Sequence, residues 1–67
     1  PNPAKNELNV QLKGRYFIRV FSIQGQIKYE KYFLNKTTID VHEFNRGIYL
    51  IHIQGAGVSG HEMIVIE

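Results

Sequence analysis

The chain has no cysteine, which excludes a disulfide framework, a thiolate zinc site and a cysteine nucleophile. Small secreted domains often carry disulfides, but exported bacterial β-modules frequently lack them, so the absence favours the cytosol only slightly. No apolar run approaches the ~18 residues of a membrane-spanning helix, and no basic-then-apolar leader opens the sequence. Blocks of like charge are also missing. Lys5, Lys13, Arg15, Arg19, Lys28, Lys31, Lys36 and Arg46 alternate with Glu7, Glu30, Asp40, Glu43, Glu62 and Glu67 for a net charge of +2. Such a pattern gives little support to nucleic-acid binding and describes an ordinary solvated surface. No helical period, internal repeat or low-complexity tract is present.

Chemistry-bearing constellations are equally scarce. The two serines, Ser22 and Ser59, lie outside any Gly-x-Ser-x-Gly setting. Nothing sets Glu30 and Asp40 on opposite sides of a pocket. His42, His52 and His61 are spaced by 10 and 9 residues, unlike the tight local pairs of zinc sites. Asp40, Glu43 and Asn45 lack the dense spacing of a calcium loop. No cofactor, metal or catalytic residue is therefore expected. Length agrees: 67 residues make one domain at most. A chain that short buries only about 60% of its unfolded surface, so a catalytic cleft of about 300 Å³ or more is hard to build.

What is present is β-forming sequence in short runs punctuated by Gly and Asn. Leu8, Val10 and Leu12 alternate with polar residues as a half-buried first strand. Tyr16 to Ile23 follows, with Ile18 and Val20 on one face and Phe17, Arg19 and Phe21 on the other. Gln24-Gly25 is a turn, with Gly25 free to adopt positive φ. Ile27 to Phe33 returns, placing Ile27, Tyr29 and Lys31 on one face. Asn35-Lys36 reads as a second turn and Thr37 to Val41 as another short strand. Gly47 to Ile53 is the most apolar segment and belongs centrally in a sheet. Gly55, Gly57 and Gly60 mark a flexible turn before a last strand, His61 to Glu67. Six or seven strands spaced in this way predict an all-β, antiparallel β-sandwich.

Three features in order carry a resemblance that spans the chain. Pro1-Asn2-Pro3-Ala4 precedes a polar stretch and Leu8-Asn9-Val10. Ile18-Arg19-Val20-Phe21-Ser22-Ile23-Gln24-Gly25-Gln26 reads as strand, glycine turn and return. Phe44-Asn45-Arg46-Gly47-Ile48-Tyr49-Leu50-Ile51 sets Gly-x-Tyr ahead of a buried strand. Together they resemble the type A C-terminal sorting domain of the type IX secretion system of Bacteroidetes. Domains of that family commonly end in a short strand closed by Lys, where this chain has Met63-Ile64-Val65-Ile66-Glu67. The resemblance implies an Ig-like sandwich of about seven short strands following an N-terminal passenger, with residues 1–67 as one sorting domain excised from a longer secreted protein. It further implies recognition by the outer-membrane secretion machinery, removal by a sortase-like peptidase, and a secreted or cell-surface destination.

Each motif also has a physical role. Pro1 and Pro3 hold φ near −65° and withhold two backbone donors, while Asn2 before Pro3 is pushed to extended geometry. Ahead of Ala4 they form a stiff lead-in that aims the first strand. Gly47 supplies a turn conformation closed to bulky residues. Tyr49 resembles a tyrosine corner, its ring in the core and its hydroxyl on nearby backbone. Met63 to Glu67 closes the sheet and is the stretch a receptor would read. Two other functions fit the composition: a carbohydrate-binding module using Phe17, Tyr29 and Tyr32, and a purely structural Ig-like spacer of an extracellular hydrolase.

Overall fold

The computed structural model describes residues 6–55 and 57–67. Pro1, Asn2, Pro3 and Ala4, the expected lead-in, lie outside the described residues. Four strands form among those described: β1 (Glu7–Ser22), β2 (Ile27–Asp40), β3 (Gly47–Gly55) and β4 (Val58–Ile66). They make one antiparallel sheet in the order β2-β1-β3-β4. The all-β, antiparallel expectation holds, but the strand count does not. Leu8–Leu12 and Tyr16–Ile23, expected as two strands, belong to the single strand β1. The segments before and after Asn35-Lys36 belong to the single strand β2, so no turn separates them.

The reason is a bulge. Pairing between β1 and β2 passes from Gln11↔Lys36 to Arg15↔Leu34, so Leu12, Lys13 and Gly14 together oppose Asn35 alone. β1 advances four residues while β2 advances two. Both steps are even, so the inward and outward faces keep their phase across the interruption. Gly14 has φ 122° and Asn35 φ 66°, conformations available to glycine and tolerated by asparagine. The Gly14 N–H donates to Asn35 Oδ1 at 2.9 Å. Tyr16 lies over the bulge and its hydroxyl donates to the Lys13 carbonyl at 3.1 Å.

The bulge is also a corner. A straight strand of 16 residues would span about 50 Å at ~3.3 Å per residue, whereas the longest dimension of the molecule is 31 Å. β1 therefore bends sharply, as bulged strands do. Leu8, before the bend, joins Ile18, Val20, Ile51 and Ile64, beyond it, in one buried cluster with Phe33, Ile39, Val41, Tyr49 and Ile66. The sheet closes its core by folding over its own inner face. Thr37 sits in that interior with its hydroxyl buried and unbonded among the described residues.

A smaller irregularity moves one more residue. The register shifts between Val20↔Tyr29 and Phe21↔Ile27. Ile27, expected on the face of Tyr29 and Lys31, instead stands opposite Phe21 and is exposed. At the other end of the sheet, the Gly55 to Gly60 segment is mostly strand rather than a flexible turn. Gly55 closes β3, Gly60 lies within β4, and Gly57 takes φ 75° in the link between them.

Candidate functional site

The best-defined local geometry lies where the chain enters β3. Phe44 N–H bonds the Val41 carbonyl at 3.0 Å, starting the turn that leads from β2 toward β3. Gly47 then takes φ 149°, a region that side-chain-bearing residues rarely occupy. Two residues on, the Tyr49 ring is buried and packs against Phe44 with centroids 5.5 Å apart. Its hydroxyl donates to the Asn45 carbonyl at 2.6 Å. The tyrosine thus ties the Asn45-Arg46-Gly47 turn to the strand that follows, as its spacing from Gly47 predicts.

The Gly25 turn is likewise built from backbone chemistry. Gly25 N–H bonds the Ser22 carbonyl and Ser22 N–H bonds the Gln26 carbonyl, both at 2.9 Å. Ser22 Oγ accepts from Gln26 N–H at 3.2 Å. Gly25 has φ 90°, the position that a three-residue hairpin connection reserves for glycine. Both predicted turn glycines therefore act by shaping the path of the chain.

β4 lies at one edge of the sheet, and its side chains divide by alternation. Ile64 and Ile66 point into the core and are buried; Met63, Val65 and Glu67 are exposed. The expected recognition stretch is thus split, with only its outward half reachable. Val65 pairs with Ile48 and Ile66 with Gly47, which places the end of the chain beside the Tyr49 turn.

Other candidates separate in space. Phe17 and Tyr32 are register partners with ring centroids 4.5 Å apart on the outer face. Tyr29 packs against the core from the inner face, so the three rings do not form one sugar-stacking platform. His52 and His61 are directly paired across β3 and β4, with ring centroids 6.4 Å apart. His42 bonds Asp40, Nδ1 to Oδ1 at 2.5 Å. Asp40 also accepts the His42 backbone N–H at 3.1 Å. These two bonds hold the Asp40 carboxyl below its ordinary range, the side-chain bond contributing most. The same bond, followed by the Asp40 charge, raises the His42 imidazole above its ordinary value. No group of three or more His, Asp or Glu side chains among the described residues is placed to hold a metal.

A surface groove runs along the bend in β1. A cleft of about 410 Å³ lies between the segment before the bulge and the first half of β4. Leu8, Val10 and Leu12 form one wall, and Ile51, Ile53 and Val58 face it. It is open and largely apolar.

Gly14 escapes a motif-based reading, and Asn35 and Gly55, read as turn residues, instead serve the bulge and the β1–β3 contact. A Cβ on Gly55 would lie 2.4 Å from Tyr16 Cδ1 and 2.6 Å from the Arg15 carbonyl oxygen. An isolated glycine inside a strand pattern is the signal that marks such places.

Comparison with known families decides the matter. The profile described as "Secretion system C-terminal sorting domain" matches residues 1–67, the whole chain. The chain belongs to this family. A comparison with curated proteins returned no match. Membership of the sorting-domain family makes residues 1–67 a C-terminal address for type IX secretion, and the destination is the cell surface or the medium beyond the outer membrane.

Proposed function

We propose that the sorting domain is read at the end of β4, through Val65 and Glu67, together with the Pro1-Asn2-Pro3-Ala4 lead-in. Gly25, Gly47 and Tyr49 set the shape of the surface, while Ile64 and Ile66 hold β4 in place. The observation that carries this reading is the alternation along β4: Val65 and Glu67 are exposed, whereas Ile64 and Ile66 are 2% exposed. A receptor meeting the folded domain touches the first pair and not the second.

In this reading residues 1–67 act as one unit behind a passenger, and a sortase-like peptidase separates the two on export. The folded-over sheet serves as an immunoglobulin-like sandwich, its second layer supplied by the part of β1 ahead of Gly14 and the part of β2 after Asn35. The shared core of Leu8 with Ile51 and Ile64 supports this two-layer description. The domain contributes shape and contact, and performs no catalysis.

The test fuses residues 1–67 behind a signal peptide and a fluorescent reporter in a bacterium with a working type IX system. Wild-type fusions reach the medium or the cell surface. Val65→Asp lowers export at least fivefold, with the periplasmic domain still protease-resistant. Normal export of that variant would sink the proposal that the β4 end is read.

A further inference from the structure

Sequence spacing separates the histidines, but strand pairing brings two of them together. His52 and His61 are register partners in the antiparallel pair of β3 and β4. Nine residue pairs run from Gly47↔Ile66 to Gly55↔Val58 without a register shift, so a regular ladder holds the two opposite each other. Directly opposed residues carry their Cβ atoms about 4.5–5.5 Å apart on one face. Alternation turns that face outward, because Ile51 and Ile64 belong to the core. His52 is half-buried and His61 exposed. Their ring centroids are 6.4 Å apart at an interplanar angle of 45°. Neither ring has a hydrogen bond or ion pair among the described residues.

The chemistry of the pair selects the ligand. A neutral imidazole offers one nitrogen lone pair, and imidazole suits late transition-metal ions such as Zn²⁺, Ni²⁺ and Cu²⁺. An ion about 2.0–2.1 Å from one nitrogen of each ring draws the centroids to about 5 Å. Exposed side chains change rotamer within nanoseconds, so this closure needs no backbone movement. The neighbouring cation is already engaged elsewhere. Arg19 is the register partner of His52 on β1, but its Nε donates to Glu30 Oε2 on β2 at 3.0 Å. Its guanidinium lies 4.8 Å from the centroid of the Phe17 ring. The charge is thus balanced by a carboxylate and drawn to the side of β1 away from β3. In the unfolded chain the two histidines are nine residues apart with no ladder to pair them, so an ion that bridges them favours the folded state.

We infer that His52 and His61 form a two-histidine chelate for a late divalent transition-metal ion, with water completing its coordination. The ion fastens the edge strand β4 to β3 through side chains, in addition to the backbone ladder. His42, bonded to Asp40, takes no part. The site is independent of which residues are read during export.

Cu²⁺, the tightest binder of the first-row divalent series, is the probe. The chain of residues 1–67, acetylated so that its terminal amine does not compete, is titrated with Cu²⁺ by calorimetry near neutral pH. One ion per chain is expected. His52→Ala and His61→Ala each weaken binding at least about tenfold, whereas His42→Ala changes it by less than about twofold. Both variants alter exposed or half-buried rings, and their circular dichroism without metal matches the parent chain. Cu²⁺ raises the melting temperature of the parent and of His42→Ala but not of the other two, and electron paramagnetic resonance shows two coordinated nitrogens. Affinity that survives loss of either ring overturns the inference. So does one ion per two chains, which means a bridge between copies. A binding loss confined to His42→Ala, or an equal melting rise with the oxygen-preferring Mg²⁺, means an adventitious ion only and overturns it as well.

Discussion

Single residues do separable jobs in this domain. Tyr49 joins a turn to a core strand through one hydrogen bond, and losing that bond while keeping the ring should cost about 1 kcal/mol. Tyr49→Phe is therefore expected to lower the melting temperature by about 4–8 °C, the usual response of a domain this size to such a loss. This bond was legible in the sequence because Gly-x-Tyr after a polar turn carries a definite geometry. The Asp40–His42 pair was not, because nothing in the residues between β2 and β3 shows which way an exposed imidazole turns. Its pH dependence follows from the two shifts. His42 is raised, so its contribution is complete below its ordinary value near 6.5 and fades as pH climbs through the raised one. Asp40 is lowered, so its contribution is complete above its ordinary value near 4 and fades as pH falls through the lowered one. The pair is strongest between about pH 4 and 6.5. An NMR titration should show the His42 midpoint falling in Asp40→Asn, and an unmoved midpoint would count against the contact.

At the level of strands, the decisive element is the long β1–β2 hairpin. Alternation put Leu8 with Val10, and Ile18 with Val20, on shared faces, as the structure does, but Leu12, read with Leu8 and Val10, is exposed at the bulge. Periodicity could not tell that Gly14 and Asn35 bend one strand where a reader sees two, because an interrupted pattern looks the same in either case. The physical difference lies in the cross-strand bond from Gly14 N–H to Asn35 Oδ1, a partnership of residues 21 apart. Packing of β1 against β3 has an equally hidden requirement at Gly55. Gly55→Ala forces a methyl group against the Arg15 carbonyl and the Tyr16 ring. Overpacking of that kind costs typically about 1–3 kcal/mol. Chemical denaturation should show a lower midpoint with an unchanged slope, whereas Gly60→Ala, which has open space around it, should be nearly silent.

The whole molecule has one core drawn from both sides of the corner. Leu8 and Ile39 on one side share it with Ile18, Ile51 and Ile64 on the other, so neither part can keep its apolar face dry alone. Native-state hydrogen exchange should accordingly find the amides of Leu8 and Ile51 opening with the same free energy. Distinctly earlier opening of the Leu8 region would mean that the corner separates two independent units. The seven-strand expectation failed at this scale for the same reason: folding a few long strands over themselves yields the burial pattern of many short ones. The corner has a mechanical consequence as well. Beyond the bulge, β1 enters the sheet beside Gly55, while β4 ends beside Gly47 at the opposite end. Tension between the two termini enters β1 through the segment ahead of Gly14. After that it runs along the strands, loading the remaining backbone bonds together in shear rather than opening them one at a time like a zip.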